Sequence, residues 1–207
     1  GHREHRGIFR LLMQSKMREL KQFEPDTIIT QLPLIAPGAA PDALHKLLPR
    51  MLVLTHMGLE HFDLFVSKEM ILHEYAILAN TLQRDAVVVL NADDANLREI
   101  KDTIARPVIT YGVHASADVR IVRAVRQEKG IVLEIVLHGA HTELFLPNLF
   151  ATQHVSAVAA GLAAAHALNI SPKDAAQSMR LMKPPKHSLM RVEGARGVTI
   201  IDDSFNT

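Results

Sequence analysis

The densest run of groups able to exchange protons or hold a ligand is Thr55-His56-Met57-Gly58-Leu59-Glu60-His61-Phe62-Asp63. His56 and His61 do not share the spacing of one helical face, but a loop can turn both imidazoles inward. On composition alone the stretch reads as an ordinary polar loop with surface histidines. Its place, just past an apolar strand-like run, sets function against that reading, because open α/β sheets put their ligand crevices there. Asn91-Ala92-Asp93-Asp94 has a similar position and could bind at the same edge, though such a run also serves as a plain strand-to-helix turn. Asp202-Asp203 closes another strand and could hold ribose hydroxyls or a metal, or simply cap the next element. His56, His61 and His73 could together suit zinc, nickel or copper, which imidazole prefers to magnesium. No Ser-His-Asp arrangement can be placed, and no glycine-rich phosphate loop occurs in these residues.

Those groups need a scaffold, and the apolar pattern supplies one. Ile8 to Phe23 carries Ile8, Leu11, Leu12, Met17 and Leu20 at helical spacing. Thr27 to Thr30 is a short β-branched run expected to form a buried strand, and Pro33, Pro37, Gly38 and Pro41 mark a loop. A helix over Asp42 to Leu48, a strand over Met51 to Thr55 and a helix from a Ser67 cap to Leu82 come next. Ala86 to Leu90 is the plainest buried strand; a helix over Ala95 to Ile104 and a strand over Pro107 to Tyr111 follow it. Apolar strands alternating with helices predict a mostly parallel sheet flanked by helices, an α/β fold. The pattern then changes. Asp118 to Val125, Gly130 to His138 and Thr142 to Leu146 read as an antiparallel section, followed by helices over Thr152 to Leu168 and Pro172 to Leu181. Arg191 to Glu193 and Val198 to Ile201 flank Gly194-Ala195-Arg196-Gly197 as a hairpin, and Pro184-Pro185 is the best domain boundary.

Bulk properties exclude several classes of partner. Lys and Arg number 23 against 22 Asp and Glu, a formal charge of +1, which gives no case for nucleic acid. The longest mostly apolar stretch, Val155 to Leu168, is broken by Ser156 and His166 and suits a buried helix better than a membrane span. Cysteine is absent, which fits a cytoplasmic setting and removes thiolate metal sites. The strand-like run ending at Ser204-Phe205-Asn206-Thr207 reads as a cut inside a larger protein.

Four stretches in order resemble the Mur ligase family. Leu54 to Asp63 is similar to that family's Thr-Asn-Ile-Gly, acidic residue and His pattern, and Ser67 to Leu82 to the helix after it. Val88 to Asp94 resembles a run of the D-alanyl-D-alanine-adding members. Gly194 to Asn206 looks like the start of their C-terminal domain, with Phe205 where Tyr is usual. The resemblance implies a central domain over residues 1–184 and the start of a C-terminal ligase domain over residues 185–207. It also implies ATP and magnesium as cofactors and a nucleotide-linked muropeptide as partner, in an amide ligase working through an acyl phosphate.

Carried over residue by residue, the resemblance is uneven. His61 matches the metal-binding His, Asp203 the Asp that contacts the nucleotide ribose, and Asn206 falls beside it in the same motif. Pro37-Gly38 places Gln31 where the family has a metal-binding Glu, and a neutral amide is a poor magnesium ligand. Glu74-Tyr75 stands where the family has Glu-Lys, and Tyr75 cannot be carbamylated. His154-Val155 and Val158 replace a His-Asn pair and a second Asn, His56 replaces an Asn, and Ser188 falls at an expected Arg that Arg191 could substitute. The phosphate-binding loop would fall ahead of Ile8, but positions 31, 75 and 158 lie inside the chain and bear on one site. The expectation is a degenerate relative that does not catalyse. A piece of an active D-alanyl-D-alanine-adding ligase and a histidine-based metal module are the alternatives.

Overall fold

The computed structural model describes residues 27–32, 44, 45, 47–57, 65, 67–137 and 139–205. The expected helix over Ile8 to Phe23 and the loop from Pro33 to Pro41 lie outside them.

Six strands form one sheet in the order of the chain: β1 (Met51–Leu54), β2 (Val87–Asn91), β3 (Val108–Gly112), β4 (Val119–Gln127), β5 (Gly130–Leu137) and β6 (Ala140–Leu146). β1, β2 and β3 pair in parallel, as the alternation of strand and helix requires. α1 (Lys68–Thr81) and α2 (Ala95–Ile100) supply the crossovers, with a 3₁₀ turn at Lys101–Thr103 finishing the second. Parallel pairing extends one strand further than the pattern suggests. β4 joins β3 in parallel at Tyr111–Val119 and Gly112–Arg120 before the antiparallel meander of β4, β5 and β6 begins.

Strand alternation divides the interior into two cores. On β2, Val88 and Leu90 face a cluster with Leu54, Leu72, Leu78 and Leu97, while Val89 faces the opposite one. That second core joins Tyr111, Ile131, Leu133 and Leu144 to Val155, Val158, Ala159 and Ala163 of α3 (Gln153–Ala167). All three β2 side chains are fully buried, each contributing about 1.5–3 kcal/mol by leaving water. The alanines let α3 lie close to the sheet, as its sequence implies. α4 (Pro172–Met179) follows, capped by Ser171, whose hydroxyl accepts from Asp174 N–H at 3.1 Å.

Local rules account for most boundaries. Ser67 caps α1 and accepts from Met70 N–H at 3.3 Å. The other end of α1 is closed from a distance: the Arg106 guanidinium donates to the carbonyls of Asn80, Leu82 and Gln83, meeting carbonyls that a helix end leaves without partners. β7 (Met190–Glu193) and β8 (Thr199–Asp202) form the expected hairpin, with Arg196 and Gly197 turning at φ +58° and +77°.

One expected element does not form. Thr27 to Thr30 carries no strand, and Ile29 is 93% exposed. A β-branched run needs a ladder partner to become a strand, and β1, the end of the sheet, pairs only with β2 among the described residues.

Candidate functional site

Of the polar residues that the sequence places at strand ends, Asp202 and Asp203 lie on the separate β-hairpin. Thr55, His56, Asn91, Asp93 and Asp94 converge at the C-terminal edge of the parallel strands. The Asp94 carboxylate is their hub. Its Oδ1 accepts from Asn96 and Leu97 N–H at 2.8 and 3.1 Å, which caps α2. Its Oδ2 accepts from Met57 N–H at 2.8 Å and lies 2.7 Å from Nδ1 of His56. Burial acts to raise the Asp94 pKa, but the N–H donors of Met57, Leu97 and Asn96, with His56, outweigh it and hold the carboxyl below its ordinary value. Asp94 therefore stays ionised while the loop after β1 is drawn onto α2.

Neighbouring groups complete the network. Asn91 Nδ2 donates to Thr55 carbonyl at 2.7 Å, and its Oδ1 accepts from Asp93 N–H at 2.9 Å. Asp93 accepts from the N–H groups of Val113 and His114, both at 2.8 Å, which ties β2 to the turn after β3. Gly112 makes this approach possible. At φ +140°, a Cβ there would lie 2.6 Å from the Asp93 carboxylate. Asp118 closes the same turn, accepting from Thr110 N–H at 2.8 Å and from its hydroxyl at 2.7 Å.

The expected site residues are distributed unevenly. His61 and Asn206 lie outside the described residues. Gln31 is exposed, while Leu32 beside it packs against the same core cluster as Tyr75. The Tyr75 hydroxyl donates to His56 carbonyl at 3.4 Å. Asp203 sits on the far hairpin, where its carboxylate accepts from Leu189 N–H at 3.2 Å. His73 is exposed on α1. His154 is buried in the first turn of α3, with neither ring nitrogen bonded. The pairing of His56 with Asp94 was not legible from spacing. The one signal was an Asp ahead of Ala95-Asn96-Leu97, a helix-cap pattern that predicts the bonds of Oδ1 but not those of Oδ2.

Magnesium needs several hard oxygen ligands in octahedral geometry. Among the described residues no group of three or more His, Asp or Glu side chains could hold a metal. Asp94 already receives four donors, and the Tyr75 phenol is turned to a backbone carbonyl. The described residues do not fit the ion, and they offer no glycine-rich cradle for the phosphates of ATP.

A mostly parallel sheet with helices on both faces and a polar hydrogen-bonded cluster at the C-terminal edge of its parallel strands defines an open α/β domain. Residues 13–165 match the Mur ligase middle domain, and the chain belongs to that family. It is 26% identical over 162 residues to the UDP-N-acetylmuramate–L-alanine ligase of Streptomyces coelicolor, covering 77% of this chain and 35% of that protein. It is 26% identical over 158 residues to the UDP-N-acetylmuramoyl-tripeptide–D-alanyl-D-alanine ligase of Bacillus subtilis, covering 76% and 33%. The chain thus spans about a third of the length of these relatives. In structure it is similar to the MurF ligase from Thermotoga maritima in complex with ADP, with a TM-score of 0.74, 20% identity, and coverage of 84% of this chain and 39% of that one. MurF from Acinetobacter baumannii gives 0.73 at 18% identity, over 85% and 38%.

Proposed function

We propose that this chain is a middle-domain module derived from ATP-dependent peptidoglycan-precursor amide ligases, and that it neither hydrolyses ATP nor forms an amide bond by itself. The observation that carries this is Tyr75, a residue that cannot be carbamylated, whose hydroxyl donates to His56 carbonyl at 3.4 Å. The nearby Asp94 carboxylate, which accepts from Met57, Asn96 and Leu97 and pairs with His56 at 2.7–3.1 Å, offers no substitute ligand for a cation. Gln31 and Tyr75 stand where the family resemblance calls for a Glu and a carbamylated Lys, which supports the same reading. His61 remains the proposed remnant of the metal site, with Asp203 and Asn206 as the nucleotide-side remnants.

Residues 1–184 are read as the central-domain unit and residues 185–207 as the start of a C-terminal ligase domain. Fold similarity to D-alanyl-D-alanine-adding ligases favours that branch, although the sequence also resembles L-alanine-adding ones. A nucleotide-linked muropeptide is the partner this implies, and the cytoplasm is the setting of an ATP-linked reaction on it. Among the described residues, no helix is long and apolar enough to cross a membrane.

Calorimetry with ATP and magnesium, run beside a phosphate-release assay on the purified chain, tests the proposal. No saturable heat and no phosphate release are expected. Micromolar ATP affinity or steady turnover would overturn the non-catalytic reading and favour an active ligase.

A further inference from the structure

The turn between α4 and β7 holds two residues where their side chains do not favour them. His187 has φ +63° and Leu189 has φ +47°. In this left-handed region a Cβ crowds the following carbonyl, which disfavours each residue roughly tenfold. A turn of this kind persists only when its surroundings impose it.

Apart from a local bond from Ser188 N–H to Pro185 carbonyl at 3.2 Å, the restraints come from residues 202–205. Nδ1 of His187 lies 2.8 Å from Oδ2 of Asp202. Leu189 N–H donates to Oδ1 of Asp203 at 3.2 Å, and Phe205 N–H donates to His187 carbonyl at 2.9 Å. Asp202 is itself held in place by Ser204, whose N–H and hydroxyl donate to Oδ1 at 3.2 and 2.8 Å. Further along the hairpin, Arg191 donates to Glu128 carbonyl at 2.7 Å and lies over the Phe150 ring. The hairpin therefore has one anchor on the sheet and one strained corner.

We propose that residues 187–189 are a strained hinge kept closed by a His187–Asp202 latch, a conformational device that sets the direction of the β7–β8 hairpin. Withdrawing the latch lets both left-handed residues relax, so the strain favours opening.

Amide hydrogen exchange on the full chain tests this. Asp202→Ala should speed exchange at Leu189 and Phe205 roughly tenfold, the low end for losing a hydrogen bond to a charged group, and leave the amides of β2 and β3 unchanged. Adding His187→Gly to that variant should slow Leu189 exchange again, because glycine takes φ +63° without strain. A latch that only supplied contacts would not show this reversal. The proposal is overturned if Asp202→Ala exchanges like the parent chain, or if the double variant is as fast as the single one. His187→Gln provides a second opening variant. If both it and Asp202→Ala unfold the whole domain, the pair is a global support and the hinge is refuted.

Discussion

Nδ1 of His56 lies 2.7 Å from Oδ2 of Asp94, a carboxylate whose side chain is only 2% exposed while the imidazole stays largely in solvent. One buried charge thus joins the exit of β1 to the start of α2. Asp94→Ala removes a helix cap and strands the Met57 N–H. It should destabilise the domain by about 2–4 kcal/mol, a cap plus a charge-assisted bond, read from urea unfolding. Asp94→Asn keeps one acceptor and should cost less. A loss below about 0.5 kcal/mol, the low end for a cap alone, would contradict the hub role.

The same residue sets an acid dependence. Its folded pKa is lowered, so its contribution is full above the unfolded value of about 3.9 and fades as pH falls through the folded one. Unfolding free energy should therefore decrease with acid in that window, and Asp94→Asn should flatten the decrease. Parallel slopes in the two proteins would refute the assignment.

Tyr111 governs the alkaline side. Burial against the second core raises its hydroxyl to about 12, with Asp93 adding to the rise and a bond to Ser156 opposing it. A phenol raised in the folded state loses stability as pH climbs from the unfolded value of about 10 toward the folded one. With two tyrosines in the chain, absorbance titration should show Tyr111 ionising late, and Tyr111→Phe should remove that late step.

Gly112→Ala should be among the most damaging small substitutions. It adds a Cβ 2.6 Å from the Asp93 carboxylate at a φ of +140°, and strain of this kind costs on the order of 1–3 kcal/mol before the Asp93 bonds are counted. Thermal melting measures it, and a shift of less than about 2 °C would mean that Asp93 yields freely.

His154 points the other way. Both ring nitrogens are buried without partners, an arrangement that costs about 1–3 kcal/mol. His154→Leu should therefore raise the melting temperature. A fall would show that the imidazole has a partner in the folded state.

Restoring the family residues should not restore chemistry. Gln31→Glu with Tyr75→Lys returns the expected side-chain types but leaves Asp94 saturated and supplies no phosphate cradle. The double variant should still release no phosphate from ATP. It should also melt lower, since it loses the Tyr75 bond to His56 carbonyl.

Periodicity and caps carried much of this protein in the sequence itself. The apolar runs at β1, β2 and β3, the Ser67 cap, Pro172 at the first turn of α4 and the alanine-rich α3 fix element type locally, because strand and helix bury different spacings of side chains. Family membership was legible too, since motif order survives where single residues drift. Tertiary structure decided the rest. Thr27 to Thr30 has the composition of a strand and forms none, because a strand exists only where another offers its hydrogen bonds. The parallel pairing of β4 with β3 depends on how Asp118 folds back onto Thr110. The second oxygen of Asp94 was settled the same way. Sequence placed that carboxylate at a helix start, but only the approach of the β1 loop, 37 residues earlier for Met57, determined what else it holds.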